Sequence, residues 1–307
     1  MVSTEYRMAE VLAWSASVLG HIETLSDHTR EHPGERAAIT RLRAETGDFI
    51  LKILPDPDHW HSEVHGYEIW AQAFGTFAPQ LIAVREIEPR AILISALPGR
   101  VLEDIQISDE QSIGVWRSAG LALRALHSLE PGPFFGPLRR DGSPRGERIE
   151  DARDYVSGEL ERWTERGLRI ACLQPEELAV VHAAQERIPA FAGERPTACH
   201  RDYCPANWLV DEHGQFRGVI DFSFAYWDVR AADFTRYPGW EWIDHPEWIA
   251  AFFDGYGRAL TPAEEEQRLV CHVQYALGAV GWGMEISYLG FAAEGRRAFL
   301  RLRETLT

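Results

Sequence analysis

Across 307 residues the chain has 47 Asp and Glu against 31 Lys and Arg, a formal charge of −16, with 45% hydrophobic and 25% charged positions. This is an ordinary globular composition, long enough for two compact lobes, and without a basic stripe it argues against a nucleic-acid partner. Cys172, Cys199, Cys204 and Cys271 form no C-x-x-C pair, which fits reduced thiols rather than a disulfide framework.

In chain order, Val11, Leu12, Ser15, Val18 and Leu19 recur at helical spacing, so an amphipathic helix is expected over 4–19. Its apolar part, Ala9–Gly20, is interrupted by Glu10 and lacks a basic flank; it is a poor signal peptide and far too short to span a bilayer, so a cytoplasmic protein is expected. His21–Leu25 and Ala37–Ala44 read as strands. The connection Ser26–Arg36 has the place of a phosphate-covering loop, with Gly34 as its one glycine and Ser26, His28 and Thr29 as substitute donors. Asp48–Leu54 reads as a buried strand holding Lys52, the only lysine in the sequence. In a chain that otherwise uses Arg, a retained lysine marks a place where a compact ammonium is required.

Pro55–Asp58 ends that strand and opens a helix to about Phe74, with Trp60, Val64, Tyr67, Ala71 and Phe74 as its buried stripe. Glu63 shares a face with Tyr67, Trp70 and Phe74, whereas Glu68 looks toward solvent; Glu63 is therefore the expected partner of Lys52. His61 and His65 are four apart, a spacing compatible with zinc, but no third ligand accompanies them and no metal is expected there. Leu81–Val84 and Ala91–Ser95 complete a small, mostly antiparallel five-stranded sheet. Ser95-Ala96-Leu97-Pro98-Gly99-Arg100 then stops the strand. It divides the chain into a nucleotide-binding lobe, 1–97, and a mainly helical lobe, 98–307, with an adenine ring expected against backbone at Ser95–Leu97. Ser108 and Gln111 form a capping box for a helix to about Leu129. Glu130–Arg148 reads as a long surface loop, and further helices are expected at 149–167, 175–190, 261–287 and 290–305.

Most of the chemistry lies in Cys199–Ser223. His200-Arg201-Asp202 is followed after four residues by Asn207, then by a hairpin and Asp221. This is the H-R-D-x-x-x-x-N spacing of a phosphoryl-transfer loop and its metal-binding aspartate. Asp202 is the candidate base, and Asn207 and Asp221 are candidate oxygen ligands for Mg2+. Trp208–Val210 and Phe216–Ile220 read as strands that fold Asp221 back beside Asn207. Lys52 and Glu63 would hold the phosphates of ATP, with GTP as the alternative. Beyond Asp221, aromatic residues crowd together with carboxylates. Asp228, Trp240, Glu241 and Asp244 are the expected contacts to a small-molecule substrate, suited to an organic cation.

Together these residues resemble the aminoglycoside phosphotransferase family, small-molecule kinases with a protein-kinase-like fold. The resemblance runs through Lys52, the helix of Glu63, ILISALPGR, LALRALHSLEPGPFFG, CHRDYCPANWLV, VIDFS and WDVRAADF. It implies a bilobal α+β fold, with a small antiparallel-sheet lobe and a larger helical one. It also implies transfer of a γ-phosphate to a hydroxyl of a small molecule, an antibiotic first, by a monomer or homodimer. By position, Asp228 and Asp233 would brace the catalytic loop. Arg201 departs from the glycine usual in the family, and the phosphate loop lacks its small residues. A protein kinase is disfavoured because no A-P-E segment follows Asp221. The runner-up is a metabolite kinase acting on an amino alcohol or sugar, and the non-enzymatic alternative is a nucleotide-binding pseudokinase scaffold.

Overall fold

A computed structural model of the protein describes residues 4–29, 37–236 and 244–307. Helix α1 (Thr4–Leu19) is followed by strands β1 (Glu23–Asp27), β2 (Ala38–Ala44) and β3 (Gly47–Ile53); helix α2 (Pro57–His65) leads to β4 (Leu81–Arg85) and β5 (Ala91–Ser95). The strands form one antiparallel sheet in the order β1-β2-β3-β5-β4. Side chains alternate across a strand, and here that sorts the sheet into two faces. Phe49, Leu51, Ile53, Leu93 and Leu42 pack with Val11 of α1. Ile92 and Ile94 share the opposite core with Trp60 and Val64 of α2. Lys52, opposite Ile92 in register, is on that second face because it is out of phase with Leu51 and Ile53.

Asp56 caps α2 by accepting from the Asp58 amide, with Pro57 in the first turn. The helix widens into a π-turn at Gly66–Trp70 and tightens into a 3₁₀ segment, Ala71–Phe77. All five residues of the expected stripe are buried. A Cβ on Gly66 would lie 2.5 Å from Cβ of Phe222, so glycine is what lets α2 lie against the chain that follows Asp221.

The larger lobe contains α3 (Asp109–His127), opened by the expected Ser108–Gln111 capping box, with α4 (Ala152–Arg169) and α5 (Pro175–Gln185). Two small sheets follow: β6 (Arg100–Val101) with β8 (Trp208–Val210) and β9 (Phe216–Val219), and β7 (Thr197–Cys199) with β10 (Tyr226–Asp228). Then come α6 (Pro246–Tyr256), α7 (Pro262–Glu285) and α8 (Leu289–Leu306). Helix α6 is not evident from the sequence, where its aromatic residues obscure any single apolar stripe. It crosses α3 at paired glycines: a Cβ on Gly120 would lie 1.9 Å from the Phe252 carbonyl oxygen, and one on Gly255 1.8 Å from that of Arg117. The stretch 130–148 is not the simple surface loop expected. Phe134, Phe135 and Leu138 are buried, and these apolar residues root a hairpin that reaches back to α2. Among the described residues no helix is long and apolar enough to cross a membrane.

Candidate active site

The loop from His200 to Asn207 leaves β7 and enters β8, and two of the site's backbone conformations are left-handed: Arg201 at φ 65° and Asp221 at φ 69°. Left-handed backbone is costly for any residue bearing a Cβ, which accounts for the glycine usual at the position of Arg201. Here the arginine earns its place through its side chain. Its guanidinium pairs with Asp228 at 2.6 Å and lies over the Tyr226 ring at 3.9 Å. Asp233 holds the loop from below, accepting from the amides of His200 (2.9 Å) and Arg201 (2.5 Å) and from His127 Nε2 (2.9 Å). Buried His200 in turn donates from Nε2 to the Ile220 carbonyl at 3.0 Å, tying the loop to the residue before Asp221.

Asp228 therefore corrects an expectation. It is 3% exposed, beneath the loop rather than in the cleft, so it braces Arg201 and does not line a substrate pocket. Burial pushes its carboxyl up to about 6, against the pull of Arg201.

On the opposite wall Lys52 is 5% exposed, with Nζ 2.5 Å from Glu63 Oε2 and 2.9 Å from Asp221 Oδ1. Glu63, not Glu68, is thus the helix partner, as the helical face predicts. Two carboxylates share one ammonium, and their proton affinities separate. Burial pushes Glu63 up to about 7 despite Lys52, and its Oε1 finds no protein partner. Burial also opposes ionisation of Asp221, but Lys52 and the Ser223 hydroxyl outweigh it and hold that carboxyl well below the usual range. Ser223 Oγ donates to Asp221 Oδ1 at 2.6 Å.

Glu63→Gln follows as a test. The folded protein binds the Glu63 proton more tightly than the unfolded chain does. The stability this contributes is present below pH 4.5 and is lost as pH rises through about 7. A permanently neutral Glu63→Gln variant should therefore melt no lower than wild type at pH 8. Thermal melts of the two proteins side by side at pH 5 and pH 8 check this.

Asn207 donates from Nδ2 to Asp202 Oδ2 and to the Asp202 carbonyl, both at 2.9 Å, leaving its amide oxygen unused by those contacts. The Ile220 amide donates to the Asn207 carbonyl at 3.0 Å, so the β8–β9 hairpin does return Asp221 to the side of Asn207. The Asn207 amide oxygen and the Asp221 carboxylate are both hard oxygen donors, the ligand type that suits Mg2+.

The remaining expected residues divide. Ser95 serves the sheet, its amide donating to the Gln80 carbonyl and its hydroxyl accepting from the Gln80 amide, both at 2.9 Å; the Ala96 amide donates to Asp48. Leu97 follows directly, half-buried in the connection between lobes. Ser26 lies in β1, paired through its hydroxyl with His28 Nε2 at 2.8 Å. Asp244 is exposed just before α6. Trp240 and Glu241, like Gly34, lie outside the described residues. His61 and His65 each bond the main chain of Arg140.

One close neighbour of Asp202 has no sequence signal. Arg236 Nη2 lies 3.7 Å from Asp202 Oδ1 and 3.4 Å from Cys204 Sγ, and its other nitrogen bonds the Tyr275 hydroxyl. It is one arginine among many in the sequence, and only the turn after Asp233 brings it to the base.

This two-lobed fold, with Lys52 joining Glu63 to Asp221 and an H-R-D loop below them, defines the class: a protein of phosphotransferase type. A sequence model of the phosphotransferase enzyme family, APH, matches residues 30–268, and the chain belongs to that family. It is 30% identical over 219 residues to a protein named homoserine kinase from Phenylobacterium zucineum (strain HLK1), which covers 68% of this chain and 58% of that one. The chain thus spans somewhat over half the length of this relative. Among solved structures it resembles aminoglycoside phosphotransferase APH(4)-Ia in ternary complex with AMP-PNP and hygromycin B, with TM-score 0.73, 16% identity and coverage of 96% and 98% of the two chains. It also resembles the gentamicin complex of APH(2")-IIa, with TM-score 0.64, 16% identity and coverage of 98% and 97%.

Proposed function

We propose that the protein transfers the γ-phosphate of ATP, with GTP as the alternative donor, to a hydroxyl of a small molecule, with an antibiotic as the first candidate acceptor. The observation that carries this reading is the convergence of Lys52, Glu63 and Asp221 on one side of the cleft with Asp202 and Asn207 on the other. Lys52 meets the nucleotide phosphates, its ammonium already oriented by Glu63. Asp202 keeps one carboxylate oxygen on the Asn207 amide, which fixes the carboxylate so that it can orient the acceptor hydroxyl and take its proton. The backbone at Leu97, in the link between the lobes, would meet the nucleotide base. Asn207 and Asp221 would hold Mg2+, which when bound neutralises charge on the phosphates. The antibiotic reading draws on the hygromycin B and gentamicin complexes of the fold neighbours.

A second reading, a metabolite kinase, is favoured by the relative named homoserine kinase and by Arg236. A guanidinium beside the base suits an acceptor carrying a carboxylate better than it suits a polyamine. Incubation of the protein with magnesium and ATP against aminoglycosides, other hydroxylated antibiotics, homoserine, amino alcohols and sugars decides between them. The expected result is a phosphorylated product of one acceptor class, seen by mass spectrometry and absent without magnesium. Tight nucleotide binding without turnover on any acceptor would instead identify a scaffold.

A further inference from the structure

The hairpin at 136–146 connects the lobes a second time, away from the Ser95–Arg100 link. It is rooted by Phe134, Phe135 and Leu138 and by the Gly136 amide, which donates to the Trp227 carbonyl at 2.7 Å. It closes through Arg139 N–H to the Ser143 carbonyl (2.8 Å) and Arg145 N–H to the Pro137 carbonyl (2.9 Å), and Gly142 turns it at φ 82°.

Its tip lands on α2 and the π-turn beyond. The Arg140 amide donates to His61 Nδ1 at 3.2 Å, and its carbonyl accepts from His65 Nδ1 at 3.0 Å. The Arg140 guanidinium meets both carboxylate oxygens of Glu68 from Nε at 3.1 Å, adds a bond from Nη2 at 2.6 Å, and also pairs with Glu86 just after β4. Arg145 pairs with Asp58 at 2.9 Å. Asp58, His61, His65 and Glu68 are spaced three, four and three apart, so one stripe of the helix is gripped along its length. Glu63 lies two residues from either histidine, about 200° around the axis. The grip is therefore on the far side of α2 from Lys52.

That placement has a consequence for the cleft. The Lys52–Glu63 contact at 2.5 Å is a single side-chain pair and fixes α2 at one point only. A bidentate arginine and two main-chain bonds supply direction that a single surface pair lacks.

We propose that this hairpin is an interlobe strap that holds α2, and through it Glu63 and Lys52, in the arrangement that receives nucleotide phosphates, with Arg140 as a positioning residue. The proposal rests on the reading of Lys52 and Glu63 as the phosphate grip. Arg140→Ala should raise KM for nucleotide or lower kcat by about fivefold or more, with KM for the acceptor unchanged. Glu68→Ala should do the same, and the double variant should add less than about twofold to either single. Exchanging the charges, Arg140→Glu with Glu68→Arg, should recover part of the loss; this pair also serves if a single variant folds poorly. A purely structural role would lower Tm while leaving kcat and the nucleotide KM of the folded enzyme unmoved, and that result would overturn the strap. So would additive effects of the two alanine variants. Lys52→Arg separates the two levels. If it impairs nucleotide KM while Arg140→Ala does not, the strap alone is wrong; if it changes nothing, the phosphate-grip reading fails and the strap falls with it.

Discussion

Asp202→Asn is expected to lower kcat by about two orders of magnitude or more while leaving nucleotide affinity close to wild type. The asparagine keeps one acceptor oxygen but cannot take a proton. Asp202 now receives the Asn207 amide on Oδ2 at 2.9 Å and faces Arg236 from Oδ1 at 3.7 Å. With one acceptor oxygen left, one of those two donors loses its partner, so a small change in acceptor KM should accompany the large change in kcat. The Lys52, Glu63 and Asp221 cluster is untouched. Initial rates at saturating nucleotide, with calorimetric titration of the magnesium–nucleotide complex, read the two effects separately. Turnover within a few-fold of wild type would remove Asp202 from the mechanism, because no other described carboxylate is held by Asn207.

The second large effect is expected at Lys52. Lys52→Arg keeps the charge but replaces a point ammonium by a wider planar fork. Nζ sits 2.5 Å from Glu63 and 2.9 Å from Asp221 in a site that is 5% exposed, and a guanidinium cannot occupy that space without pushing the carboxylates apart. A displacement of about 1 Å in a phosphoryl-transfer site costs on the order of a hundredfold, and a loss of that size is expected with the fold intact by circular dichroism. An independent check uses the composition. Apart from the α-amino group, Lys52 is the only amine in the chain, so an amine-reactive nucleotide analogue should label it stoichiometrically, inactivate the enzyme and be blocked by magnesium–nucleotide. Full activity of Lys52→Arg, or labelling without inactivation, would separate Lys52 from the nucleotide.

Much of this candidate site is legible in the sequence, because its signals are local. The spacing from His200 to Asn207 lies within one loop, and the hairpin to Asp221 is two short apolar strands around a polar turn. The same holds for Glu63 over Glu68, decided by which face of one helix carries Tyr67 and Phe74, and for Lys52, marked by its strand and its singularity. Periodicities of two and 3.6 residues and turn chemistry act over a few residues, and each of these features is written at that range.

What only the tertiary structure decides lies between segments far apart in the chain. Asp228 reads as a cleft carboxylate in its aromatic surroundings, but Arg201 and β7 cover it. Arg236 becomes a neighbour of Asp202 only through the turn that follows Asp233. The stretch 130–148 has the composition of a surface loop, yet its hairpin closes on α2 because Phe134, Phe135 and Leu138 find a core and Arg140 finds Glu68, 72 residues earlier. Such contacts depend on which surfaces the folded lobes bring together. A single sequence carries no period or spacing that records them.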